Sequence, residues 1–114
     1  MAGKDFNETI LRIKKFCEER DWSQFHDPKN LAISLQLETS EILELFQWTT
    51  DNKIKPGKES EIGDELADAF YWIIMLANHY NVDLLEAVDK KMDKNELKYP
   101  VEKSKGNSAK YNEL

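Results

Sequence analysis

The 114-residue chain carries 16 Lys and Arg against 22 Asp and Glu, for a formal net charge of −6, and is 40% hydrophobic and 33% charged. This is the profile of one soluble domain of ~100–200 residues; with four Gly and three Pro it is not collagen-like, low-complexity or turn-rich all-β. A single cysteine, Cys17, excludes an internal disulfide framework and a Cys-rich zinc site.

Four helices are expected in chain order. The first runs from about Asn7 to Arg20, with Phe6, Ile10, Ile13 and Cys17 at helical spacing and charges opposite. Asp27 followed by Pro28 is an N-cap with proline at the first helical position, opening a second helix to about Trp48. A polar loop follows to Gly57. The third helix spans about Glu59 to Tyr80, and Asn81 to Asp83 break it. Asp83 with Glu86 three residues on resembles a capping pair for a fourth helix ending near Asn95, closed by Tyr99 and Pro100. Residues 1–100 thus form one helical domain. The polar tail, 101–114, lacks periodicity and is expected to order only against a ligand or partner. No segment alternates like a strand, so the fold class is all-α, a four-helix bundle with antiparallel neighbours.

The N-terminus has no apolar run suited to a secretory signal, and the longest apolar run, Ala69 to Ala77, is far short of the roughly 20 residues of a membrane span. A cytoplasmic protein without membrane attachment is expected. The charge is unevenly spread: residues 1–89 hold 9 basic and 18 acidic side chains, and residues 90–114 hold 7 basic and 4 acidic. An acidic body argues against general nucleic-acid binding. The basic C-terminal segment suits either a small anion or the C-terminal dipole of the fourth helix.

The anomaly lies in the middle helices. Glu38 falls inside the apolar stripe Leu31, Leu35, Ile42 and Leu45, and Glu41 follows about 60° round the helix. On the third helix Asp68 is the only charge between Leu66 and Ala77, with Glu65 three residues before it. Exposure at a helix N-terminus accounts for Glu59, Glu61 and Asp64. It does not account for Glu38, Glu41 or Asp68, which are mid-helix in apolar company. Unpaired buried carboxylates are costly, and a hard divalent cation resolves both the burial and the mutual repulsion. Ferritin-like di-iron chemistry needs Glu-x-x-His pairs, which neither His26 nor His79 supplies. No EF-hand loop or Gly-rich phosphate loop is present. An all-oxygen site suits Mg²⁺, with Mn²⁺ able to substitute, commonly shared with a phosphorylated substrate. Cys17 reads as a small buried hydrophobe and His79 as structural.

Glu38 and Glu41, followed after 23 residues by Glu65 and Asp68, resemble the paired ExxE and ExxD signature of the all-α nucleotide pyrophosphohydrolases, the MazG-like superfamily. The stretches Glu19 to Leu31, Glu44 to Trp48, Lys91 to Asn95, Lys98 to Pro100 and Lys110 to Leu114 extend the likeness to its dCTP pyrophosphatase branch. The resemblance implies Glu38, Glu41, Glu65 and Asp68 as magnesium ligands, and Lys91 and Asn95 as triphosphate contacts assisted by Lys98 and Tyr99. It implies Trp22, His26 and Trp48 as lining for the base and sugar. Trp72 stands where the branch often has tyrosine, a departure at that contact. The implied reaction splits a pyrimidine deoxynucleoside triphosphate such as dCTP into monophosphate and pyrophosphate in a homodimer or homotetramer, with Glu41, flanked by Glu38, activating water. Trp48 and Trp72 also lie on apolar faces, where a tryptophan ordinarily serves the core, whereas Trp22 sits in a polar hinge. The rival from another class is a non-catalytic helical module that binds a nucleotide or metal, or mediates assembly. The complete acidic quartet together with Lys91 and Asn95 favours the enzyme.

Overall fold

The computed structural model describes residues 5–114, and all regular structure among them is helical. It divides into two compact units, one running through Asn81 and one from Val82 to Leu114. None of the described helices is long and apolar enough to cross a membrane.

In the first unit, Asp5 caps α1 (Phe6–Glu18) by accepting from the Glu8 amide at 2.8 Å. The helix stops two residues before the expected Arg20. The Arg20 and Asp21 amides close tight bonds to Cys17 and Glu18, and Asp21 adopts a left-handed backbone at φ 53°. One 3₁₀ turn, Trp22–Phe25, leads to the expected cap: Asp27 accepts from the Asn30 amide at 2.8 Å, and Pro28 begins α2 (Pro28–Glu44). This cap is legible in sequence because all of its chemistry lies within four residues.

The end of α2 corrects the expected boundary at Trp48. The amides of Leu45, Phe46 and Gln47 bond to carbonyls three residues back, which tightens the last turn, and Trp48 turns left-handed at φ 70°. Trp48 therefore leaves the helix and stands 85% exposed, not on an apolar face. The Lys55 amide then returns to the Leu45 carbonyl at 2.8 Å, pinning the loop against the helix end. α3 (Glu61–His79) follows, and α2 packs along it as the principal helix pair, with α1 also against α3. Cys17, Leu31, Leu45, Ala69, Ile74 and Ala77 form the buried core. Leu31 and Leu45 come from the stripe that contains Glu38, so burial of this stripe sets Glu38 into the protein.

The second unit opens with the expected capping residue, Asp83, which accepts from the Glu86 amide at 3.1 Å. α4 (Leu84–Lys98) continues three residues past Asn95, stabilised along its exposed side by a Glu86–Lys90 ion pair at 2.6 Å. In the tail, α5 (Val101–Ser104) starts after Pro100, and a 3₁₀ turn spans Tyr111–Glu113. The Tyr111 ring meets Tyr99 edge-on at 6.2 Å and lies under the Lys98 ammonium at 4.8 Å. These aromatic and cation–π contacts give this polar segment an anchor that periodicity does not reveal.

Candidate active site

Three carboxylates converge between α2 and α3. Glu38 projects from the buried stripe of α2, and Glu65 and Asp68, three residues apart, share one face of α3. One oxygen from each lies within 4.8 Å of the others. Glu38 Oε1 and Glu65 Oε2 are buried and find no hydrogen-bond partner among the described residues. Burial, the adjoining carboxyls of Glu65 and Glu41, and the negative charges of Glu41 and Asp68 push the Glu38 carboxyl from its ordinary 4.5 up to about 8. The ion pairs among the described residues, Lys58–Glu61 and Lys90–Glu86, involve none of the three. Orphaned, mutually repelling oxygens outside any ion pair among the described residues fit a hard divalent cation.

Glu41 departs from the expected inward quartet. Its side chain is exposed, and it is not one of the three converging residues, because the turn of about 60° from Glu38 carries it out of the α2–α3 seam. It remains close enough to raise the Glu38 pKa. With Glu65 it also lines a smaller cavity that includes Lys55 and Lys58.

Next to the carboxylates lies a pocket of about 540 Å³. Glu38 and Asp68 form its acidic side, Trp22, Phe16, Tyr71 and Trp72 its aromatic walls, and Thr9, Arg12 and Ile13 complete it. The rings pack edge to face: Phe16 on Trp22 at 5.4 Å, Tyr71 on Trp72 at 4.8 Å, and Phe16 on Tyr71 at 6.3 Å. Arg20 holds Phe16 from outside, its guanidinium 3.9 Å from the ring centroid and its Nη1 donating to the Phe16 carbonyl. His26 sits behind the wall, edge-on to Trp22 at 6.5 Å and Trp72 at 5.8 Å, with a buried Nδ1 that finds no partner among the described residues.

Of the residues expected at the site, Glu38, Asp68, Trp22 and Trp72 line this one pocket, Glu65 joins the carboxylates, and His26 supports the two tryptophans. Trp48 does not line it. Lys91, Asn95 and Lys98 lie on α4 of the second unit and Tyr99 caps that helix, with the Asn95 carbonyl accepting from the Tyr99 amide at 2.8 Å. Thr9, Arg12, Ile13, Phe16 and Tyr71 were not expected at a site. The first four recur at i, i+3, i+4 and i+7, one helical face, but this face borders the Ile10 and Cys17 core stripe and was eclipsed by it. Tyr71 was hidden inside an unbroken apolar run.

A MazG-like family profile matches residues 33–114, including all four acidic positions. The chain belongs to the MazG-like family. This MazG-like chain is 41% identical over 113 residues to dCTP pyrophosphatase 1 of Mus musculus and of Homo sapiens, matching 94% of its own length. It spans 66% of the length of each of these relatives. It also superposes on the crystal structure of a pyrophosphatase from Archaeoglobus fulgidus with a TM-score of 0.77 and 34% identity, covering 88% of this chain and 97% of that one. The α1 wall of the pocket lies outside the family match, which begins at residue 33.

Proposed function

We propose that this MazG-like protein hydrolyses dCTP to dCMP and pyrophosphate, using Mg²⁺, with Mn²⁺ as a substitute, held by Glu38, Glu65 and Asp68 with Glu41 at their edge. The observation that carries this reading is one pocket in which aromatic walls meet two of the converging carboxylates. Its volume of about 540 Å³ suits a single nucleotide, since small-molecule sites occupy roughly 300–1,000 Å³. The names of the mouse and human relatives supply the base.

In this mechanism Trp22, Trp72 and Tyr71 take up the base, for which stacking is worth ~1–3 kcal/mol per base. The carboxylates alone would repel a triphosphate; a cation bound by Glu38, Glu65 and Asp68 would supply charge neutralisation and Lewis-acid polarisation of the phosphates. Glu41, open to water beside Glu38, accepts the proton of the attacking water as the new O–P bond forms. The α–β bridging P–O bond breaks, and its electron pair leaves with pyrophosphate. Lys91 and Asn95, assisted by Lys98 and Tyr99, are assigned by resemblance to the phosphates.

Self-association as a homodimer or homotetramer belongs to the same proposal. Ile33 and Leu37 stand exposed one turn apart on α2, as do Leu66, Phe70 and Ile73 on α3, a pattern suited to a subunit interface.

Incubation with a panel of ribo- and deoxynucleoside triphosphates and Mg²⁺, followed by chromatography, tests the reading. Preferential conversion of dCTP to its monophosphate supports it. Binding without turnover of any member would replace it with a non-catalytic nucleotide-binding module.

A further inference from the structure

One contact in the pocket wall is not used by the mechanism above. Cys17 on α1 is 1% exposed, and its Sγ lies 2.7 Å from the Tyr71 hydroxyl on α3. Among the described residues this thiol is the sole hydrogen-bond partner of that hydroxyl, and it also reaches Met75 Sδ at 3.9 Å. The phenol's pKa is pushed well above its ordinary value, first by burial and then by Cys17. The ring of the same tyrosine meets Trp72 and Phe16 edge to face, and all three rings line the nucleotide pocket. The tyrosine is thus fastened by its hydroxyl within the α1–α3 packing while its ring forms part of the pocket wall.

A buried hydroxyl deprived of its partner is costly and turns toward water where it can. For Tyr71 the adjoining open space is the pocket that its ring lines. Losing the Cys17 contact would therefore swing a polar group into the volume meant for the base and unseat the edge-to-face packing with Trp72.

We propose that Cys17 is a positioning residue for nucleotide binding: it retains the Tyr71 hydroxyl in the protein so that Tyr71 offers its ring to the base and acts as a specificity-determining wall. This rests on the dCTP reading above. It gives the cysteine a role beyond filling the core, and it makes two residues 54 positions apart in sequence one functional pair.

The test is a double-mutant cycle of wild type, Cys17→Ala, Tyr71→Phe and the double variant, with Cys17→Ser as the conservative control. Each is measured for the dCTP dissociation constant by quenching of the pocket tryptophans, for KM and kcat, and for Tm. Cys17→Ala should raise the dissociation constant and KM about fivefold to tenfold while kcat stays within about twofold. Tyr71→Phe keeps the ring and removes the hydroxyl, and its own affinity is the reference against which the double variant is read. The double variant should resemble Tyr71→Phe, because no hydroxyl then needs a partner. Cys17→Ser should restore binding. Unchanged dCTP binding in Cys17→Ala would overturn the proposal, as would a double variant as impaired as Cys17→Ala. So would a loss of Tm equal in both backgrounds without a change in binding, which marks packing alone. If wild type binds dCTP without turning it over but the binding cycle still couples, hydrolysis fails and the Cys17–Tyr71 pair stands. A wild type that does not bind dCTP sinks both.

Discussion

The Glu38 carboxyl makes stability and cation binding depend on pH in opposite directions. Without a cation, it titrates at about 8 in the folded protein against an ordinary value of 4.5. The folded state therefore keeps a proton that the unfolded chain releases. The stability this gives is complete below pH 4.5 and is lost as pH rises through about 8. Converted directly, such a shift is several kcal/mol, but the site opens to solvent at Glu41 and Asp68, and screening reduces it to about 1–2 kcal/mol. In Glu38→Gln there is no proton to lose. With chelator present, the Tm of this variant should gain on wild type by roughly 5–10 °C between about pH 5 and pH 9. Divalent cation should reverse the order, because it replaces the lost proton in wild type and finds a weaker site in the variant. Below about pH 8 its apparent affinity for wild type should fall by up to about tenfold per pH unit. The assay is thermal melting across pH, with chelator and with excess Mg²⁺. A Tm difference that does not vary with pH, or a Mg²⁺ affinity that does not, would refute the reasoning.

Four further outcomes are expected. Asp68→Asn should lower kcat/KM by at least about 10²-fold while far-UV circular dichroism stays unchanged, since it removes a charge from an oxygen cluster and leaves the core intact. Glu41→Gln should lower kcat about 10²-fold or more with a smaller change in Mg²⁺ affinity, because the exposed Glu41 stands at the edge of the converging three; stopped assays and cation titration separate the two effects. Trp72→Ala should raise KM for dCTP about tenfold or more through lost stacking, whereas Trp48→Ala, whose exposed ring does not line the pocket, should change it less. Multi-angle scattering should give a mass at least twice that of the chain, and Leu37→Glu together with Phe70→Glu should reduce it to the monomer.

What could be read in the sequence was local chemistry. Asp27 with Pro28, and Asp83 with Glu86, are helix starts whose hydrogen bonds close within four residues, and both occur as expected. The inward placement of Glu38 is legible because a charge inside an apolar stripe breaks a 3.6-residue period, whereas Asp68 joins the cluster from α3 with its side chain exposed. Periodicity gives an angle but not the edge of the seam, so Glu41 was assigned inward although it lies outside. Trp48 was misplaced because α2 ends by tightening its last turn, with neither Gly nor Pro to mark the stop. The pocket's α1 wall and the Cys17–Tyr71 contact arise from packing between distant segments, which no local pattern encodes. The turn at Tyr111 is anchored in the same way, by contacts that Tyr99 and Lys98 make with Tyr111.

The central claim is that carboxylates and aromatic rings share one pocket in order to split a nucleotide at its α–β anhydride. The most direct measurement is the product ratio from dCTP incubated with Mg²⁺, resolved by phosphorus NMR. Equimolar dCMP and pyrophosphate are predicted, with neither formed by Asp68→Asn. Formation of dCDP and orthophosphate, or intact dCTP after prolonged incubation with the folded wild-type protein, would contradict it.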